Sequence, residues 1–242
     1  MTEPHISSAA TARRAAWISE IVRISGHFGQ DAARVEAELQ EEVRDAGSGA
    51  LLDHLRLCGA IPESYGHDTS EEKLYSKYTD ALIGVAFRHL GLKAAVLTER
   101  ADAADVEVVG ETYSFVADAK AFRLSRTAKN QKDFKVQAMD GWKRGKPYAI
   151  VVAPLYQLPR SSSQIYEQAA TRNVAILSYS HLCVLVRLAD SEGRAAAEAL
   201  LGNVLKAVES LHPSKSATDY WTALNRSMLN AGGGIPSTWK DE

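Results

Sequence analysis

Two uninterrupted apolar runs, YAIVVAP at 148–154 and VAILSY at 174–179, most limit what this chain can become. Neither alternates polar with apolar residues, so neither suits a strand with one wet face. Each reads as a buried central strand, covered above and below by helices. Between them SSSQIYEQAATRN reads as a helix whose N-cap lies in Ser161–Ser163. Upstream, DVEVVG, a turn at Gly110-Glu111 and YSFVADAKAF read as a β-hairpin, with AAVLTE a further strand before it. KDFKVQAMDGWK returns to helix. The order predicts an α/β fold, a mixed β-sheet core flanked by helices.

Helical segments bracket that core. Ile18, Ile21, Val22 and Ile24 recur at helical spacing, as do Ala33, Val35, Leu39 and Val43, before a break at Gly47–Gly49. The run TSEEKLYSKYTDALIGVAFRHLG has a cap at Thr69 or Ser70, acids in its first turn and Gly91 at its end. Two more helices follow Ala189, and the glycine run in AGGGIPSTWKDE predicts a mobile tail. With 242 residues, 45% of them hydrophobic, one domain is expected. It divides into a helical segment 1–58, a core 59–188 and a helical segment 189–242.

The net charge of -2 predicts no polyanionic partner by itself. Its distribution matters more. From Lys120 to Lys146 nine bases face two acids, Asp133 and Asp140. Such a block marks either a local polyanion site or a solvated basic face. Two cysteines without a CxxC exclude a zinc ribbon and a disulfide scaffold, and fit a reducing cytoplasm. The seven histidines lack metal-ligand spacing. No apolar run approaches a membrane span, and no signal peptide is recognisable.

At the head of the basic block stand Asp118 and Lys120. In an extended strand they share a face. If the hairpin closes at Gly110-Glu111, Asp105 lies beside Asp118. Two close carboxylates repel, so a divalent cation is their natural partner. Mg²⁺ held by oxygen ligands, a lysine and a flanking basic surface are what phosphodiester hydrolysis requires. The bland alternative for Asp118 and Lys120 is an ion pair on an exposed edge strand.

The pattern of an acid, about a dozen residues, then Asp-x-Lys resembles the PD-(D/E)xK nucleases. VADAKAFRLSRTAKNQKDFKV, with IPES, SEEKLYSK, APLYQLPRSSSQIYEQ and NVAILSYSHL, is similar to HindIII-like type II restriction endonucleases. That resemblance implies Mg²⁺-dependent double-strand cuts in palindromic DNA at A/AGCTT, leaving 5′-overhangs, with Mn²⁺ able to substitute. It also implies a cytoplasmic homodimer, and a methyltransferase acting on the same site without a stable complex. It places Asp105, Asp118, Lys120 and Asp133 in the catalytic site and makes Asp105, Asp118 and Glu99 the metal ligands, with Thr98 the other candidate for the last slot. Glu72 becomes an outer partner. Arg123, Ser125, Arg126, Lys129, Asn130, Lys132 and Lys135 face DNA, Asn130 reading adenine. The competing functions are a structure-selective repair nuclease or resolvase of the same fold, and a binding module without catalysis.

Overall fold

The computed structural model describes residues 6–97, 103–125, 131–214 and 216–242. Four helices come first: α1 (Ser8–Ile24), α2 (Phe28–Ala46), α3 (Ser48–Leu57) and α4 (Ser70–His89). Strands β1 (Lys93–Val96), β2 (Val106–Val109) and β3 (Ser114–Ala119) follow, then α5 (Val136–Trp142) and β4 (Tyr148–Ala153). Next come α6 (Ile165–Thr171), β5 (Val174–Ser178), α7 (Tyr179–Glu192), α8 (Arg194–Glu209), α9 (Ala217–Leu229) and α10 (Ile235–Asp241).

The sheet order is β1-β2-β3-β4-β5. The first two pairings are antiparallel and the last two parallel. Every residue of β4 and of β5 is buried, as their unbroken apolar runs demand. Helix α4 packs on β1, β2 and β3, while α5 reaches β3, β4 and β5. Tyr220 of α9 meets β5: its hydroxyl accepts from Ile176 N–H at 2.6 Å. A continuous core runs from Trp17 in α1 to Ile235 in α10.

Three readings need correction. The strand expected over 174–179 ends at Ser178, and Tyr179 opens α7, nine of whose residues are buried. Helix α6 begins at Ile165 without a side-chain cap; Ser163 Oγ only accepts from Ile165 N–H at 3.4 Å. The tail is ordered helix. Gly232 and Gly233 make the turn, with φ of 81° and 60°. Pro236 then suits the first turn of α10. Glu242 closes it against Arg56 and Arg187.

Candidate active site

The hairpin sets the site. Val106 pairs with Ala117 and Val109 with Ser114. Continuing that antiparallel register by one residue brings Asp105 opposite Asp118. Asp118 also lies beside Val151 of β4, at the carboxyl end of β3, where the parallel and antiparallel parts of the sheet meet. The third acid comes from α4. Asp80 points from the helix face that covers the sheet, and its Oδ1 accepts from Ala119 N–H at 3.3 Å.

Carboxylate oxygens of Asp80, Asp105 and Asp118 all lie within 4.8 Å of one another. Asp80 is 3% exposed and Asp118 2%. Burial pushes the Asp80 carboxyl well above the usual range, and the charges of Asp105 and Asp118 push it further. Two lysines answer these acids. Lys120 Nζ donates to Asp118. Lys77 Nζ donates to Asp105 and lies 3.6 Å from Asp80. Burial alone would lower the Lys77 pKa, but the Asp80 and Asp105 charges outweigh it and raise it. Three oxygen donors from separate elements, largely desolvated and incompletely neutralised, fit a hard divalent cation. The Lys120 backbone is also fixed: its N–H donates to Val152 O at 2.7 Å, and its carbonyl accepts from Tyr179 Oη at 3.0 Å.

Other expected residues fall elsewhere. Glu72 lies two turns from Asp80 on α4, about 12 Å along the axis at 1.5 Å per residue. Its carboxylate accepts from Arg123 Nε at 3.1 Å and from Asp68 N–H at 2.6 Å, so it serves that arginine and not the acid cluster. Arg123 is itself spent inside the protein. Its Nη2 donates to Tyr65 O at 3.0 Å and Gly66 O at 2.8 Å, and its Nη1 to Pro62 O at 3.4 Å. With 7% of its side chain exposed it clasps the loop before α4, which corrects its expected place on DNA. Ser125 gives both its N–H and its hydroxyl to Glu63, each at 2.9 Å.

Asp133 sits in a short 3₁₀ turn, Gln131–Phe134, and is not one of the three converging acids. Lys132 and Lys135 beside it are exposed. Lys135 has φ of 49° and holds its ammonium 5.4 Å from the Trp142 ring centre. Glu99, Arg126, Lys129 and Asn130 lie outside the described residues. A cavity of about 630 Å³ lies at the far end of the sheet, lined by Glu111, Tyr113, Tyr148 and Glu198, away from the acids.

This buried acid trio, with Asp-x-Lys closing a hairpin, coincides with a family match. The model of the HindIII restriction endonuclease family matches residues 15–242. The chain belongs to that family. A curated relative, the Type II restriction enzyme HindIII of Haemophilus influenzae, is 43% identical over 140 residues, which is 57% of this chain and 47% of that protein. The match thus spans about half the length of that relative. Family membership agrees with the mixed sheet and its flanking helices.

Asp80 escaped the sequence reading. Its signal was present: an acid one turn before Ile83 and Gly84 and two turns before Phe87, on a helix face that is otherwise apolar and buried from there on. A charge there needs a partner, because a buried and unpaired carboxylate is too costly to keep.

Proposed function

We propose that this protein is a type II restriction endonuclease that makes Mg²⁺-dependent double-strand cuts in palindromic DNA. The convergence of Asp80, Asp105 and Asp118 within 4.8 Å, with Lys120 on Asp118, carries this reading. The three carboxylates would hold the cation, Mg²⁺ or Mn²⁺ in its place. Bound there, the ion supplies positive charge to the phosphoryl oxygens and lowers the pKa of the attacking water.

The chain's own groups do the rest. Asp118 would offer a carboxylate oxygen to the cation, while its Oδ2 accepts from Lys120 Nζ. The Lys120 ammonium, on a fixed backbone, orients the water or meets the negative charge on the phosphoryl oxygens of the pentacovalent state. The water oxygen bonds to phosphorus and gives up one proton to solvent as the bond to the leaving oxygen breaks, and that oxygen takes up a proton from solvent. The exposed Lys132 and Lys135 would contact phosphates, and Arg126, Lys129 and Asn130, which precede them in sequence, are the further candidates for phosphates and base edges. Asp133, between Lys132 and Lys135 in the sequence, is proposed for the catalytic site from the family likeness alone.

The proposed sequence is A/AGCTT with 5′-overhangs, taken from the family. A palindrome calls for a two-fold homodimer, one site per strand. The helical segments 1–58 and 189–242 share one core with 59–188, which supports a single working unit. Among the described residues no helix is long and apolar enough to cross a membrane, in keeping with action in the cytoplasm. A methyltransferase on the same sequence would protect the host without a stable complex.

The test is cleavage of a long duplex of known sequence with Mg²⁺. Discrete fragments with four-base 5′ ends at AAGCTT, lost in Asp118→Ala and Lys120→Ala, are expected. Metal-dependent nicking without sequence preference would overturn it. Preference for branched over linear duplexes would make the protein a structure-selective nuclease.

A further inference from the structure

A cation already stands among the acids. Lys77 lies one turn before Asp80 on α4. Its ammonium donates to Asp105 Oδ1 and sits 3.6 Å from Asp80 Oδ2. It therefore bridges an acid of the helix to an acid of the hairpin. Lys120 does something different, pairing with Asp118 on its own strand.

Formal charge makes the consequence plain. Three carboxylates and two ammonium groups sum to -1. A divalent cation entering this set meets a neighbouring ammonium and finds lone pairs of Asp105 engaged. With Lys77 withdrawn, the three acids and Lys120 sum to -2, which one divalent ion neutralises. Lys77 can withdraw: 21% of its side chain is exposed, and four methylenes carry its charge.

We propose that Lys77 is a positioning residue that stands in for the metal, holding Asp80 and Asp105 together in the DNA-free protein and leaving when the divalent cation enters. This rests on the metal-centre reading above. A DNA phosphate gives the displaced ammonium a new partner. Cation loading and DNA binding are then coupled, and the free protein binds cation weakly.

The test is Mn²⁺ binding to the full chain without DNA, by titration calorimetry. Lys77→Met is expected to bind Mn²⁺ at least tenfold more tightly than the unsubstituted chain, while Lys77→Arg, which keeps the charge, stays weak. Lys77→Gln keeps a donor to Asp105 without the charge. It should also bind tightly, and it guards against a folding defect in Lys77→Met. In EDTA the Lys77→Met protein should melt lower than the unsubstituted chain, and Mn²⁺ should reverse the difference. Equal or weaker Mn²⁺ binding by both neutral variants would overturn the proposal. If Asp118→Ala leaves Mn²⁺ binding unchanged, the metal centre itself is wrong, and the two failures are thus told apart.

Discussion

Replacing Asp80 by Asn should stabilise the metal-free protein and disable the enzyme. Asn keeps the side-chain volume and an acceptor for Ala119 N–H, but removes a buried charge. Burial disfavours the ionised Asp80 carboxylate most, the charges of Asp105 and Asp118 within 4.8 Å disfavour it further, and Lys77 and Lys120 offset only part of this. The net cost removed is on the order of 2 kcal/mol. For a chain of 242 residues that corresponds to a rise in melting temperature of about 4–8 °C in EDTA. Saturating Mg²⁺ should reverse the ranking. A ligand at a hundred times its Kd adds about 2.7 kcal/mol to the protein that binds it, and the variant has lost a ligand. Differential scanning fluorimetry with EDTA and with Mg²⁺ reads both effects. A variant that melts lower than the parent in EDTA would refute the charge accounting.

Two further outcomes follow from the buried polar groups. Arg123→Ala strands Glu72 and the carbonyls of Pro62, Tyr65 and Gly66, so it should cost about 3–5 kcal/mol in denaturant unfolding. A residue that only touched DNA would leave that stability unchanged. His181 is buried between Ser178, Trp221 and Asn225, and burial lowers its pKa to about 4. Because the folded value lies below the ordinary one, its contribution is complete above pH 6.5 and is lost as pH falls towards 4. The loss amounts to about 3 kcal/mol, and His181→Gln should flatten that part of the curve of melting temperature against pH.

The hairpin was legible because a strand's side chains alternate with period two. A two-residue turn at Gly110-Glu111 would pair Asp105 with Val116, on the same face as Asp118; the chain turns one residue later, with Gly110 N–H donating to Tyr113 O, and so brings Asp105 opposite Asp118. The two central strands were legible because burial on both faces leaves no room for polar residues. Helix α7 was passed over although Leu182, Leu185, Val186 and Ala189 recur at helical spacing, because its apolar residues run on without a break from those of β5. Asp80 was hidden by distance. No local rule links a helix to a strand almost forty residues downstream, and only the packing of α4 on β3 joins them. Arg123 was misread because a basic run suggests a common surface. One of its members turned inward, where carbonyls and Glu72 could take its hydrogen bonds. The glycine run was read as a loose end, although Ile235, Pro236 and Trp239 beyond it carried the signs of a docked helix.

The central claim is that Asp80, Asp105 and Asp118 form one metal centre. Anomalous diffraction from crystals soaked in Mn²⁺, with a cognate duplex bound, tests it most directly. The account predicts Mn²⁺ density ligated by oxygens of all three carboxylates and in contact with a phosphate. Density ligated by other residues, with the three acids left paired to Lys77 and Lys120, would contradict it.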